Sequence, residues 1–363
     1  MKFINIKWDI TYNCNLNCKH CLNIQTREGK KDPDYDQTLS ALEKLQEIGI
    51  VSHMQFLGGE PTVHSRFPEI VTELSKMGIG IGINTNCIKI GRVEKIIEHL
   101  YEINVSMEGP TRETHEYIRG LDQFSTFERI LTNLKRFKKL KEENGHIYNL
   151  ILSCVLTKHN LPVIEDMVDL SVEMGANGLN LLQLVEEGNA ALSNELHIEP
   201  EEELDAARKV AVRFNDLGLT EEDLKLNMRF TYNKVIDYLK KEYAPALPYT
   251  NHTCGAGISF AYMNQQCELY PCDRLCPDYP FIESNKKIKR MSLIDTDFEE
   301  IWESDIYTDA FEMQYSEKTY ENCFPCKDCK YLRNGCLPCP AQVKNNNPDP
   351  TIIQACQLVE ELQ

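Results

Sequence analysis

Three cysteines fall within eight positions near the start of the chain: Cys14, Cys18 and Cys21, in the stretch TYNCNLNCKHCLN at residues 11–23. A thiolate set this dense suits zinc or an iron–sulfur cluster. A closed zinc site wants four ligands, and His20 is placed to supply the fourth. It is immediately next to Cys21, however, which makes simultaneous tetrahedral ligation awkward. A four-iron, four-sulfur cluster on three cysteines instead leaves one iron without a protein ligand, open to a substrate or cofactor. An open iron points to chemistry rather than scaffolding.

The chain holds 15 cysteines. Cys87 and Cys154 stand alone in or beside apolar strand patterns and read as buried small hydrophobes. Ten more follow residue 253. The start, MKFINIKWDI, alternates like a strand and has no apolar h-region or cleavage site, which implies a cytosolic protein. Thiols stay reduced there, so metal ligation is expected in place of structural disulfides.

The elements that must position these residues repeat in kind from residue 4 to about 185. Short apolar runs (INIKWDI, MQFLG, IGIGIN, INVSM, LILSCVL, LNLLQLV) alternate with amphipathic stretches such as Thr38 to Ile48, where Leu39, Leu42, Leu45 and Ile48 recur at helical spacing. In RFPEIVTELSKMG, Pro68 suits a first helical turn and Gly78 a stop. Strand–helix alternation implies a parallel sheet, either doubly wound or an incomplete barrel. Both architectures carry their chemistry on the loops after the strands' C-terminal ends. The cysteine triplet follows the first strand and Gly58-Gly59-Glu60-Pro61 the second, so both open onto one face. Residues 186 to 243 read as helical, APALPYTN as a boundary, and the cysteine-rich remainder as a region held by metal more than by an apolar core. The expected division is 1–195, a barrel domain; 196–250, a helical bridge; and 251–363, the cysteine-rich domain. Asn345 to Asn347 is a short low-complexity tract.

At 363 residues and 42% apolar composition, the chain has material for both a large α/β unit and a smaller domain. A formal charge of −17 lacks the cationic footprint that nucleic acid or an anionic membrane requires. The basic run Arg136 to Lys141 is followed at once by glutamates and reads as a solvated helix face. No run approaches the roughly 18 apolar residues of a membrane span.

The C-x3-C-x2-C of Cys14, Cys18 and Cys21 resembles the signature of the radical S-adenosylmethionine (radical SAM) superfamily. Gly58-Gly59-Glu60-Pro61 resembles that family's GGEP segment, and VSMEGPTRETHEYIRG at 105–120 its fourth-strand segment. The resemblance implies a partial (β/α)6 TIM barrel, an S-adenosylmethionine (SAM) cofactor and a 4Fe-4S cluster on the triplet. It implies that the backbone of Gly58, Gly59 and Pro61, with the Glu60 carboxylate, holds the methionine ammonium. A charge-assisted bond there is strong enough to orient it. Asn84, Asn86 and Ser106, at strand ends, are candidates for polar contacts to SAM, and Arg119 for its carboxylate. Polar residues at strand ends also cap helices and turns. A 5'-deoxyadenosyl radical would then remove a hydrogen atom from the substrate, the protein supplying orientation and the cofactor reactivity.

Beyond residue 253, Cys254-Gly255-Ala256-Gly257, Tyr270-Pro271-Cys272, the segment CFPCKDCKYLRNGCLPC and Cys356 resemble a SPASM domain with two auxiliary four-iron clusters. Carried over, one cluster takes Cys326, Cys329, Cys336 and Cys356; the other takes Cys254, Cys272 and Cys339, with a fourth ligand from Cys267 or Cys276. The chain departs from the family in having x6 between Cys329 and Cys336, x2 between Cys336 and Cys339, and a surplus Cys323. A zinc ribbon is the alternative for the dense segment, but so many cysteines exceed the needs of one zinc.

SPASM proteins mostly modify peptides or proteins by net two-electron oxidation, so the expected function is oxidative crosslinking or other modification of a ribosomally made peptide. The alternatives are a sulfatase-maturing enzyme that forms formylglycine from Ser or Cys, favoured by Cys272-Asp273, and a non-catalytic iron–sulfur or zinc module, for which Glu60 beside an open cluster has no use. Asp273 is the candidate base for the proton lost on oxidation. The expected partners are the peptide, an electron donor such as flavodoxin or ferredoxin and, since the triplet lies at the very start, a separate leader-binding protein or the barrel mouth itself.

Overall fold

The computed structural model describes residues 3–23, 31–48, 50–120, 125–145, 148–185, 187–250, 253–278, 287–321, 323–340 and 350–362. Asn345 to Asn347 lies outside them. The six expected strands form, as β1 (Ile4–Thr11), β2 (Val51–Gly58), β3 (Gly80–Thr85), β4 (Leu100–Ser106), β5 (Asn149–Val155) and β6 (Gly178–Leu182). Between them run α1 (Tyr35–Ile48), α2 (Phe67–Lys76), the short α3 (Gly91–Glu94), α4 (Arg112–Arg119), α5 (Thr126–Asn144) and α6 (Asp166–Glu173). Beyond β6 come α7 (Pro200–Asp216), β7 (Lys225–Met228), α8 (Asn233–Glu242), β8 (Phe260–Met263), β9 (Leu269–Tyr270), α9 (Phe298–Trp302), α10 (Asp305–Tyr315) and α11 (Pro350–Leu362).

One nine-stranded sheet holds these strands in the order β7-β6-β5-β4-β3-β2-β1-β8-β9. Every neighbouring pair from β7 to β8 is parallel, and β9 turns back antiparallel. The two ends do not meet, which makes an incomplete barrel. Residues 186–243 are not wholly helical as expected: four of them form β7, paired Gly178↔Lys225 to Leu181↔Met228. The cysteine-rich part also contributes a strand, β8, which pairs with β1 from Asn5↔Phe260 to Trp8↔Met263. The sheet thus runs across residues 195 and 251 without a break.

Alternation divides the strands. Ile4, Ile6, Trp8 and Ile10 are buried in the core beneath the helices, while Lys7 and Asp9 face the barrel's interior cavity. Trp8 packs on Phe56 at 5.4 Å between ring centroids, and Phe56 meets Phe67 of α2 edge-on at 5.3 Å. Pro68 stands in the first turn of α2, and Gly78 follows its end at φ +76°, which favours glycine. Cys87 and Cys154 are buried in the same core.

Candidate active site

The triplet loop is tied to four neighbouring segments. Gly59 N donates to Thr11 O at 2.7 Å and Glu60 N to Asn13 O at 2.8 Å. Lys19 N reaches Ile118 O in α4, Asn189 N and its side chain reach Cys21 O and Cys18 O, and the Asn86 side chain reaches Asn15. The two glycines are what lets β2 approach so closely. A Cβ on Gly58 would stand 2.2 Å from Thr11 O, and one on Gly59 2.1 Å from Asn13 O. Gly59→Ala is therefore expected to cost about 1–3 kcal/mol of stability in urea unfolding. Gly91→Ala, where nothing lies within 4 Å, is expected to leave the midpoint unchanged.

A cavity of about 420 Å³ opens at the C-terminal ends of the strands. Its wall brings together Cys14, Gly58, Gly59, Glu60, Asn84, Asn86, Ser106, Arg119 and Asp273, residues that the sequence scatters over 260 positions. A second hollow of about 300 Å³ adjoins it and is lined by Cys14, Cys18 and Cys21 with His20. Pro61 is buried at the head of the turn Pro61–Val63, which Glu60 caps by accepting from Thr62 N. Lys7, Asp9 and Tyr262 also line the larger cavity. The strand alternation of INIKWDI puts Lys7 and Asp9 on one face and was a legible signal for both. Tyr262, which donates to Asp9 Oδ2 at 2.6 Å, comes from β8, and no local pattern announces it.

The carboxylate of Glu60 is almost fully enclosed. Its Oε1 accepts from Thr62 N, Thr62 Oγ1 and Thr85 Oγ1, and its Oε2 accepts from Asn86 N at 2.7 Å. Burial pushes this carboxyl up, against the pull of those donors. The hydrogen bonds lock the GGEP turn to the end of β3. Asn84 accepts from Gln55 at 2.6 Å across Gly82, where a side chain would collide with Gln55.

Beneath the triplet lies a buried ion pair. Arg119 Nη2 donates to Glu108 Oε1 at 2.5 Å, and Arg119 Nη1 points to Cys18 Sγ at 3.5 Å. Val155 N donates to Glu108 Oε2, and His20 Nε2 is 3.5 Å from Glu108 Oε1. Burial alone would raise the Glu108 carboxyl, but Arg119 and then His20 hold it below its ordinary value. Burial pushes the His20 imidazole down and that of His115 down to about 3. Cys14 Sγ accepts from Leu16 N at 3.4 Å. Two sulfurs of the triplet thus receive donors that suit thiolates, while His20 Nδ1 and Arg119 Nε are buried without partners. Soft ligands, spare donors and an adjoining hollow fit an iron–sulfur cluster with a polar cofactor beside it. Among the described residues no three Cys, His, Asp or Glu close on a single metal ion.

The later cysteines gather in two groups. A charge on Cys339 raises the thiols of Cys254 and Cys272, which places these three near one another. Likewise Cys326 feels Cys323, Cys356 and Cys336, and both Cys356 and Cys336 feel Cys329. Cys323 shares a hydrogen bond with Cys326. Cys276 packs instead with Tyr262 and Tyr270, where the charges acting on it most are Asp278, Glu268 and Arg290. Cys267 is buried in the main core at φ +57°, beside Glu268. Cys254, Cys272 and Cys339 lie close enough for a charge on one to act on another, and Cys272 and Cys339 pack against one apolar cluster.

Residues 8–171 match a model of the radical SAM superfamily. Over 97% of its length the chain is 25% identical to the mycofactocin maturase MftC of Mycolicibacterium smegmatis, covering 83% of that protein. Among solved structures, anSMEcpe with bound AdoMet aligns over 99% of this chain and 92% of its own, with a TM-score of 0.68 at 18% identity. Streptococcus suis SuiB bound to precursor peptide SuiA aligns over 85% of this chain, with a TM-score of 0.63 at 14% identity; this chain spans 66% of that one. These likenesses establish the fold, a partial barrel followed by a cysteine-rich C-terminal part.

Proposed function

We propose a function for this chain on one premise: it belongs to the radical SAM superfamily. The chain is read as an oxidoreductase that modifies a ribosomally made peptide, by crosslinking or otherwise altering a side chain or backbone. The observation that carries this reading is the single cavity shared by Cys14, Glu60, Arg119 and Asp273. Cys14, Cys18 and Cys21 would hold a 4Fe-4S cluster. Gly58, Gly59, Glu60, Asn84, Asn86, Ser106 and Arg119 would seat SAM. Residues 251–363 would form the auxiliary domain, with Cys326, Cys329, Cys336 and Cys356 holding one cluster and Cys254, Cys272 and Cys339 the other. When bound, these groups would supply a 5'-deoxyadenosyl radical that takes a hydrogen atom from the substrate, and iron–sulfur centres able to take up the electron that the substrate radical gives up.

The chain's own residues supply the rest. The Asp273 carboxylate, on the wall of the same cavity as Cys14, would accept the proton lost from the oxidised atom. Asn227 Nδ2 donates to Asn180 Oδ1 at 2.9 Å, and Asn180 reaches Ser153 Oγ at 3.3 Å. These amides line neighbouring strands inside the barrel and suit a substrate built of amides. The relatives support a peptide substrate: SuiB is bound to a precursor peptide and anSMEcpe to a peptide in their structures. An electron donor such as flavodoxin or ferredoxin, a separate leader-binding protein and a cytosolic setting complete the proposal.

The test is anaerobic incubation of the reduced, reconstituted protein with SAM and the short peptides encoded beside its gene. Formation of 5'-deoxyadenosine with a peptide lighter by two hydrogens is the expected result. Asp273→Asn is expected to keep deoxyadenosine and lose the modified peptide. A second reading, formylglycine formation, is favoured by Asp273 directly after Cys272; a hydrazide-reactive aldehyde on a Ser or Cys peptide would select it. No deoxyadenosine from any substrate would remove both readings.

A further inference from the structure

The group formed by Cys254, Cys272 and Cys339 lies under helix α10. Ile306, Ala310 and Met313 of that helix belong to the apolar cluster against which Cys272 and Cys339 pack. One turn along, Gln314 Nε2 donates to Ala256 O at 2.6 Å, which fixes the helix to the loop that carries Cys254. Tyr307, one turn before Ala310 on the same helix, is buried in the main core beside that cluster.

Tyr307 is only 3% exposed, and its hydroxyl has no hydrogen-bond partner. A buried hydroxyl left unpaired costs stability, so a position that keeps one calls for a partner. The ring is held in place. It packs tilted at 35° against Trp302 with centroids 4.6 Å apart, and a Cβ on Gly257 would lie 3.4 Å from Tyr307 Cδ1 and 3.7 Å from Pro271. The ring thereby lies against Gly257, three residues after Cys254, and Gly257 in turn faces Pro271, next to Cys272. A charge on the Cys272 sulfur would raise the phenol beyond what burial does.

We propose that the Tyr307 hydroxyl donates a hydrogen bond to a sulfur of the iron–sulfur centre held by Cys254, Cys272 and Cys339, and so makes that centre easier to reduce. Donors to ligating or bridging sulfur stabilise the more negative, reduced state and raise the potential. At the second centre, on Cys326, Cys329, Cys336 and Cys356, Tyr320 packs beside Cys326, but its hydroxyl is spent on Pro338 O at 2.8 Å. Tyr307 therefore separates the potentials of two centres that share one domain. The inference rests on the assignment of an iron–sulfur centre to those three cysteines.

The test is a potentiometric titration of the full-length reconstituted protein, followed by electron paramagnetic resonance, with Cys272→Ala used to assign the signal of this centre. Tyr307→Phe removes only an unpaired hydroxyl, so folding is expected to survive. The assigned signal is expected to titrate at a lower potential, by about a tenfold fall in the reduction equilibrium, roughly 59 mV for one electron. The other signals should not move. In unmutated protein exchanged into D2O, pulsed resonance should detect a deuteron coupled to the same centre, lost in Tyr307→Phe. An unchanged midpoint with no coupled deuteron overturns the hydrogen bond. An iron content that Cys272→Ala does not lower overturns the centre itself, a separate failure.

Discussion

Cys18→Ala is expected to bring 5'-deoxyadenosine formation below detection and to lower the iron content by about a third, one of the three proposed clusters. Cys18 is the most buried of the triplet, at 5% exposure, and the one that receives Arg119. Its loss leaves two thiolates, too few to retain the cluster, and strands a guanidinium beneath them. The loss should be confined to the first centre, because the later cysteines lie on other segments. Iron and sulfide assays with a deoxyadenosine measurement decide the matter. Retained activity with full iron would show that the cluster sits elsewhere.

Arg119→Ala is expected to destabilise the fold by about 3–5 kcal/mol, because it leaves the Glu108 carboxylate buried and unpaired. The double change to Glu108→Leu with Arg119→Met should recover most of that loss while remaining unable to seat SAM. Urea unfolding of the single and double variants gives the stabilities. The pair also carries a pH dependence of definite sign. The Glu108 carboxyl is held below its ordinary value in the fold, so its contribution is complete above the unfolded value near about 4.3. It is lost as pH falls through the lower folded value. Glu108→Gln should erase that acid limb, and an unchanged limb would assign it to other carboxylates.

The first six strands and the helices between them were legible because each carries its own periodicity, as in INIKWDI or RFPEIVTELSKMG. The triplet, GGEP and the segment around Arg119 were legible because they are short and lie at strand ends. What escaped is what depends on distant partners. β7 and β8 are four residues each, too short for alternation to stand out from helical or cysteine-rich surroundings. The partnership of Glu108 with Arg119 spans a turn and a helix, and no spacing rule singles it out. The orphan hydroxyl of Tyr307 is a property of enclosure, invisible in the letters DIYTDAF. The grouping of Cys254, Cys272 and Cys339 is an expectation from resemblance alone, whereas the placement of Cys276 beside Tyr270 needed coordinates.

β1 is bonded along both of its edges, to β2 on one side and to β8 on the other. Cutting the chain near residue 250 would strip one edge of the strand that carries the triplet and expose a row of unsatisfied amides and carbonyls. Such a naked edge invites pairing between molecules. The N-terminal half is therefore not a detachable module, and any attempt to express it alone must supply a replacement for Phe260–Met263 before its chemistry can be judged.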